Sequence, residues 1–147
     1  MVPKFEACGS LPPGVHWASW KEIEERFGST AHRLRLLRGF REGIDQLRRA
    51  GCKAAYLDGS FVTSKEVPGD FDACWDVYDV DPDVLDPVFF DFENQRTAQK
   101  VRFGGEFFPA QLPEGDSGRT FLEFFQIDKN TGDAKGIVGV DLTRWEP

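Results

Sequence analysis

The sequence has few cysteines, and they lie far apart. It contains three, Cys8, Cys52 and Cys74, and no Cys-x-x-Cys pair occurs. An odd number of scattered cysteines is not typical of a disulfide framework or of a zinc cluster. We therefore expect Cys52 and Cys74 to be buried packing residues, and we expect the protein to work in a reducing cytoplasm.

Long apolar runs are also missing. No stretch of the chain approaches the roughly 20 apolar residues that a membrane-spanning helix needs. Residues 1–6 lack the charged and then apolar pattern of a secretory signal. The sequence therefore predicts neither membrane insertion nor export.

Basic residues are fewer than acidic ones. There are 18 Lys and Arg against 25 Asp and Glu, so the net charge is −7, and general DNA binding is not expected. Residues 66–93 hold ten carboxylates and no base, whereas residues 31–50 hold six arginines. The first segment could concentrate a divalent metal and the second could hold phosphates or RNA, although we expect most of these charges to be solvated. Candidates for substrate contact among the arginines are Arg33, Arg41 and Arg48.

Apolar residues, in contrast, are plentiful. They make up 40% of the chain, and phenylalanine alone occurs 14 times. A chain of 147 residues with this composition is expected to fold as a single domain over residues 1–147. Its opening segment, residues 1–18, is predicted to be irregular because prolines and glycines interrupt regular structure there.

The order of the predicted elements indicates an α+β fold. Two helices come first, with Ser19 and Thr30 as their N-caps and Gly51 at the end of the second. Residues 84–102 are expected to be partly helical. The predicted strands cover residues 53–58, 70–76, 106–109, 121–127 and 136–142. The last two flank residues 128–135 and are expected to form a C-terminal β-hairpin, in a mixed sheet flanked by helices.

The strongest chemical pattern lies within residues 56–76. A strand ends in Gly59-Ser60, nine residues follow, and the next strand begins with Asp70 and Asp72 on either side of a phenylalanine. Gly59 has no Cβ and lets the backbone approach phosphate oxygens, and Ser60 can offer its hydroxyl and amide. Side chains two positions apart on a strand point to the same face, so Asp70 and Asp72 can share one cation.

This stretch resembles the signature of the DNA polymerase β-like nucleotidyltransferase superfamily. It is most similar to the minimal nucleotidyltransferases, which include stand-alone bacterial proteins of toxin–antitoxin pairs. The resemblance implies that Gly59 and Ser60 bind a triphosphate and that Asp70 and Asp72 bind Mg²⁺. Many relatives have an Arg or another Gly soon after the Gly-Ser pair, and here we expect Lys65 to contact phosphate as a point charge.

The pattern of that superfamily includes one more acid on a later strand. Glu106 is our choice, because it follows two glycines and opens an apolar strand. Glu123, which alternates with phenylalanines, is the rival, and Asp91 is a weaker alternative.

Together, the pattern and the resemblance predict a nucleotidyltransferase that moves a nucleoside monophosphate from a nucleoside triphosphate, such as ATP, to a hydroxyl. The expected cofactor is Mg²⁺ or Mn²⁺, held by Asp70, Asp72 and Glu106, because such an ion offsets charge on the triphosphate and on the leaving pyrophosphate. The acceptor could be a partner protein, a tRNA end or a small molecule. The alternative is a nucleotidyltransferase-like binding module with weak or no activity, such as a toxin–antitoxin component.

Overall fold

The fold is α+β, as predicted, in a computed structural model that describes residues 1–145. The last two residues of the domain expected over 1–147 lie outside that part of the chain. The helices are α1 (Trp20–Phe27), α2 (Ala31–Arg49), α3 (Glu93–Phe103) and α4 (Phe121–Phe124). The strands are β1 (Gly14–Trp17), β2 (Ala54–Asp58), β3 (Phe71–Trp75), β4 (Gly105–Pro109) and β5 (Gly136–Asp141). Short 3₁₀ turns cover Gly59–Val62, Pro87–Phe90 and Leu142–Arg144.

Both predicted N-caps of the first two helices are present. The Ser19 hydroxyl accepts from the backbone N–H of Glu22, whose carboxylate accepts from the N–H of Ser19, so a capping box begins α1. The Thr30 hydroxyl accepts from the N–H of Arg33 at the start of α2. Gly51, with φ of +97°, follows the end of α2. Within residues 1–145, no helix is long and apolar enough to cross a membrane.

The five strands form one mixed sheet in the order β1-β5-β2-β3-β4. β2 is antiparallel to both β3 and β5, whereas β1 runs parallel to β5 and β4 runs parallel to β3. Because β2 and β3 are antiparallel neighbours, the end of β2 lies beside the start of β3. The turn at Gly59-Ser60 therefore lies next to the pair Asp70 and Asp72.

Alternate residues of the strands divide between the two faces of the sheet. One face packs against the main core, to which α2 contributes Leu37, Phe40, Ile44 and Leu47. The other face carries a smaller cluster, made of Ala54, Tyr56, Cys74, Phe108, Ala110 and Ile137. Residues of α4 and Phe125 pack against that second cluster. The sheet thus has a helix-covered face and a face covered mainly by a short C-terminal segment.

The N-terminal segment differs from the prediction. Residues 1–18 were expected to be irregular, but Gly14–Trp17 form the edge strand β1. This strand exists because it pairs in parallel with β5, with Gly14 opposite Gly136. The partner lies near the other end of the chain, so no local pattern in residues 1–18 could reveal the pairing.

The C-terminal region agrees only in part with the predicted hairpin. Residues 121–127 were expected to form a strand, but they begin with α4, because Thr120 and Glu123 form a capping box there. A hairpin-like element follows, since Ile127 and Ala134 make an isolated antiparallel bridge across the intervening turn. β5 then enters the sheet between β1 and β2.

Candidate functional site

The turn that ends β2 brings the backbone unusually close to a carboxylate. Gly59 has φ of +76°, a conformation that favours glycine. A Cβ on Gly59 would lie only 2.4 Å from Oδ2 of Asp72. The backbone of Gly59 and the carboxylate of Asp72 can be neighbours only because position 59 is glycine.

Three carboxylates lie side by side on neighbouring strands. Asp58 at the end of β2 is in register with Asp72 of β3, and Asp72 is in register with Glu106 of β4. Residues in register on adjacent strands point to the same face of a sheet. These carboxylates alternate with main-core residues such as Leu57 and Phe107, so they belong to the face opposite the helices.

Most of the predicted phosphate-binding and metal-binding residues line one cleft of about 600 Å³, namely Gly59, Ser60, Lys65, Asp70 and Asp72. The structure therefore brings five of the six predicted site residues together. The geometry required for a shared site, with both aspartates facing the same cavity as the Gly-Ser turn, is present.

The carboxylates in this cleft are crowded. The pKa of Asp72 is raised to about 7, first by burial and then by the negative charges of Asp70 and Glu106. Burial and the charge of Glu106 also raise the pKa of Asp70. Lys135 opposes the rise at Asp72 but does not cancel it. Because carboxylates that repel one another are stabilised by a cation, these groups fit a divalent metal ion.

Glu106, the predicted third acid, is close to Asp72 but has other partners. Its Oε2 accepts from Nε of Arg96 at 2.8 Å, and Nζ of Lys100 lies 3.0 Å from its Oε1. Glu106 is not among the residues that line the cleft. Both bases project from α3, which precedes β4. In this structure Glu106 therefore joins α3 to the sheet through two ion pairs.

The rival third acids lie elsewhere. The Glu123 carboxylate accepts from the N–H of Thr120 at 2.9 Å and closes the capping box of α4. That hydrogen bond lowers the pKa of Glu123, as expected for a solvated helix cap. Asp91 accepts from the N–H of Glu93 at 3.2 Å. Neither acid lines the cleft of Asp70 and Asp72.

Asp58 is a buried carboxylate beside Asp72 that has no place among the predicted site residues. It is fully buried, and its Oδ1 has no hydrogen-bond partner among the described residues. Its Oδ2 accepts a long hydrogen bond from Sγ of Cys74 at 3.6 Å. Burial and the charge of Asp72 raise the pKa of Asp58 well above its usual range. The only sequence signal for it is an acid at the last position of an apolar strand, directly before Gly59.

Arg33 fixes the loop that continues from the Gly-Ser turn. Its guanidinium donates to the carbonyl oxygens of Phe27 (3.3 Å) and Phe61 (2.8 Å). It also donates to those of Thr63 (3.3 Å) and Lys65. Arg33 is buried, and burial lowers its pKa. Of the three arginines considered for substrate contact, this one instead holds the loop that carries Lys65.

The other two arginines also have partners away from the cleft. The guanidinium of Arg41 lies over the rings of Trp20 and Trp145, at 5.7 and 5.9 Å from their centroids. Arg48 forms an ion pair of 3.8 Å with Asp45 in α2. Neither arginine lines the cleft.

The C-terminal segment adds aromatic and basic side chains to the lining of the cleft. Phe124 and Phe125 lie there, followed by Lys129 and Lys135 from the turn before β5. No sequence pattern marks these residues, because their position depends on how the C-terminal segment folds over the sheet. The two lysines bring positive charge to a lining that also contains Asp70, Asp72 and Asp128.

A complete metal cage is absent from residues 1–145, where no three His, Cys, Asp or Glu side chains converge in a ligand arrangement. Three carboxylates line the cleft, those of Asp70, Asp72 and Asp128. Because Oδ1 of Asp128 accepts from the N–H groups of Asn130 and Thr131 in its own turn, Asp70 and Asp72 are the candidate ligands. Mg²⁺ is usually held by one or two carboxylates, with substrate phosphates and water as the remaining ligands. The residues present therefore fit a metal ion that binds together with a phosphate-bearing ligand.

Comparison with known proteins gives one family. A family of unknown function (DUF6932) matches residues 3–141. No curated protein and no solved structure matches the chain. The matched range includes the Gly-Ser turn, Asp70, Asp72 and Glu106.

Proposed function

The chain belongs to the family of unknown function DUF6932, and we propose that it is a divalent-metal-dependent nucleotidyltransferase. The observation that carries this proposal is that the Gly59-Ser60 turn and the pair Asp70 and Asp72 line the same cleft. Backbone amides at such a turn bind phosphate oxygens, and paired carboxylates bind the cation that accompanies them.

Asp70 and Asp72 are the residues that would hold Mg²⁺ or Mn²⁺. They face the cleft, and the charge of Asp70 already raises the pKa of Asp72. A bound divalent ion would offset negative charge on the triphosphate and on the departing pyrophosphate. Glu106 contributes to the negative field at both aspartates while it stays paired with Arg96 and Lys100.

The triphosphate is expected to lie within the cleft. Ser60 would offer its hydroxyl and amide, and Lys65 lines the same cleft. Lys129 and Lys135, from the turn before β5, line it as well. Three lysines around one polar cleft supply point charges for phosphate oxygens. These residues bind and orient the donor, which is most of what catalysis of this type requires.

The reaction would join the acceptor oxygen to the α-phosphorus and break the bond between the α-phosphorus and the bridging oxygen. Pyrophosphate leaves with the electron pair of the broken bond, and the acceptor hydroxyl passes its proton to solvent water. Phe124 and Phe125 line the cleft and provide ring surface on which a nucleobase can stack. The proposed acceptor is a hydroxyl of a partner protein, a tRNA end or a small molecule.

A nucleotide-binding module without transfer activity is the second candidate. The pairing of Glu106 with Arg96 and Lys100 favours it, because the third acid does not face the cleft. Such a module would bind a metal–triphosphate complex and act through a partner protein, for instance within a toxin–antitoxin pair. Nucleotide binding without label transfer would distinguish it from the enzyme.

The cysteines support a cytoplasmic location, which we also propose. Cys8, Cys52 and Cys74 are all free thiols. Burial raises the pKa of Cys52 to about 11 and that of Cys74 well above its usual range. Both buried thiols therefore stay protonated and pack as apolar residues. Free thiols of this kind are typical of a reducing compartment.

The test of the enzyme is transfer of label from triphosphates that carry it at the α-phosphate. The protein is incubated with Mg²⁺, each labelled triphosphate and cell extract, and labelled products are separated. We expect labelling by the native protein and none by the Asp70→Asn, Asp72→Asn double variant, because asparagine keeps the shape but removes both charges. The matched control is Asp81→Asn with Asp83→Asn, an exposed pair with the same spacing. Labelling that persists in the first double variant would refute the proposal.

A further inference from the structure

An apolar groove of about 250 Å³ lies near the other end of β3. Its lining residues are Trp75, Val77, Val80, Pro82, Phe90, Phe92, Pro109 and Leu112. None of them lines the cleft that contains Asp70 and Asp72. The groove is a separate surface, so its function does not depend on the proposed nucleotidyl transfer.

Large apolar side chains in the groove are open to solvent. Phe90 is 45% exposed, Phe92 is 42% exposed and Leu112 is 49% exposed. Tyr78 and Val84, from the same chain segment, are also exposed. Exposed aromatic side chains that cluster around a concave surface, rather than lying singly, are typical of a site of protein–protein contact.

The groove is already formed in the free protein. Nε2 of Gln111 donates to Oδ1 of Asp76 at 2.7 Å, and its Oε1 accepts from the N–H of Val77 at 3.0 Å. These two hydrogen bonds join the segment after β4 to the segment after β3. The ring of Phe90 packs edge-on against Trp75, with centroids 6.2 Å apart. A preformed groove binds without the cost of ordering its walls.

Acidic residues flank the lining residues of this groove in the sequence. Residues 66–93 contain no Lys or Arg. Two acids of this segment are neutralised from outside it, Asp79 by Lys53 and Asp86 by Arg102. The other eight acids of the segment have no ion pair among the described residues. Four of these eight, Asp81, Asp83, Asp91 and Glu93, directly follow or precede the lining residues Val80, Pro82, Phe90 and Phe92.

We propose that this groove is a docking site for a basic amphipathic segment of a partner protein. The exposed rings would take one or two large apolar side chains of the partner. The four acids that are adjacent to lining residues and have no ion pair would meet lysines or arginines on either side of those apolar residues. Charge complementarity of this kind increases the rate of association and excludes acidic partners.

The test uses three synthetic peptides of equal length and the full chain. In the first, large apolar residues recur at helical spacing among lysines. The second keeps the lysines and replaces the apolar residues by serine, and the third keeps the apolar residues and replaces the lysines by glutamate. Affinity is measured by fluorescence anisotropy at low and at physiological salt. We expect the first peptide to bind at least about tenfold more tightly than either of the others.

Protein variants locate the binding. Phe92→Ser and Leu112→Ser should each lower the affinity for the first peptide by about tenfold, because each removes an apolar side chain that lines the groove. Val101→Ser is the matched control, since Val101 is exposed on α3 outside the groove. Asp83→Asn with Glu93→Gln should weaken binding mainly at low salt. Circular dichroism checks that each variant is folded.

Three outcomes would overturn the proposal. The first is that the serine peptide binds as tightly as the amphipathic one, because attraction would then be only electrostatic. The second is that Phe92→Ser and Val101→Ser bind the amphipathic peptide equally, or that no peptide binds. The third is that sedimentation velocity shows a dimer that Phe92→Ser dissociates, because a second copy of this chain would then occupy the groove.

Discussion

Two pairs of aspartates with the same spacing occur in one acidic segment and have different surroundings. Asp70 and Asp72 face a cleft beside a Gly-Ser turn, and burial raises the pKa of both. Asp81 and Asp83 are exposed, and Oδ1 of Asp81 accepts from the N–H of Asp83 at 3.0 Å. The spacing is the same in both pairs, so the difference lies in their surroundings: only the pair Asp70 and Asp72 lies beside a strand end and lines a cleft, which is why we propose the metal site there. Each of the following predictions therefore pairs a residue of the cleft, or of the contacts that hold the loop carrying Lys65, with an exposed counterpart.

The largest expected effect is on binding of a metal–triphosphate complex. Asp70→Asn with Asp72→Asn should lower the affinity for Mg²⁺ with a non-hydrolysable triphosphate by about 1,000-fold, or about 4 kcal/mol, because both anionic ligands are lost. Asp81→Asn with Asp83→Asn should change the same affinity by no more than about twofold. Isothermal titration calorimetry measures both. Equal losses in the two double variants would show that the position of the pair is irrelevant.

The next effect is on stability and compares two arginines of α2. Arg33→Met should lower the free energy of unfolding by about 2–3 kcal/mol, because four backbone carbonyls lose a charged donor. Arg35→Met, at an exposed position, should change it by less than about 0.5 kcal/mol. Urea denaturation gives both values. If Arg33→Met cost no more than Arg35→Met, the loop that carries Lys65 would not depend on Arg33.

A smaller effect is expected from glycine substitution. Gly59→Ala should destabilise the fold by about 1–2 kcal/mol, because a residue with a Cβ is strained at positive φ. Its Cβ would also press against Oδ2 of Asp72. Gly69→Ala is the control, since an added Cβ there meets nothing within 4 Å, and its effect should stay within about 0.5 kcal/mol. Thermal unfolding of the two variants at equal concentration measures the difference.

The smallest effect concerns pH. The pKa of Asp72 is about 7 in the folded protein and about 3.9 in an unfolded chain. The folded state therefore binds the proton more tightly, and this contribution to stability is lost as the pH rises towards 7. Between about pH 6 and pH 7, without divalent metal, the native protein should lose about 1 kcal/mol of stability relative to Asp72→Asn, since one pKa unit corresponds to about 1.4 kcal/mol. The free energy of unfolding of Asp83→Asn should vary with pH as that of the native protein does. If the native protein and Asp72→Asn showed the same dependence on pH, the raised pKa of Asp72 would be contradicted.

Local sequence predicts those parts of the molecule that local interactions determine. The caps at Ser19 and Thr30 fix two helix starts through hydrogen bonds within a few residues. The Gly-Ser turn and the two aspartates lie at strand ends, and a strand end next to glycine is visible in the sequence. Thr120 and Glu123 have the same capping-box spacing and begin α4. The phenylalanines that follow Thr120 favour a strand instead, so the two local signals conflict there.

What could not be predicted depends on contacts between distant segments. β1 requires β5, and the lining that Lys129 and Lys135 add to the cleft requires their turn to fold over the sheet. The ion-pair partners of Glu106 also depend on contacts between separate segments. Its position on a strand beside Asp72 could be inferred, but its ion pairs with Arg96 and Lys100 depend on how α3 packs.

The most direct test of the account is the position of a bound metal. Crystals are soaked with Mn²⁺ and a non-hydrolysable triphosphate, and the anomalous signal of manganese locates the ion. We predict an ion about 2.1–2.3 Å from carboxylate oxygens of both Asp70 and Asp72, bridged to the phosphates. An ion found only at Asp81 and Asp83, or a triphosphate bound away from the Gly59-Ser60 turn, would contradict it.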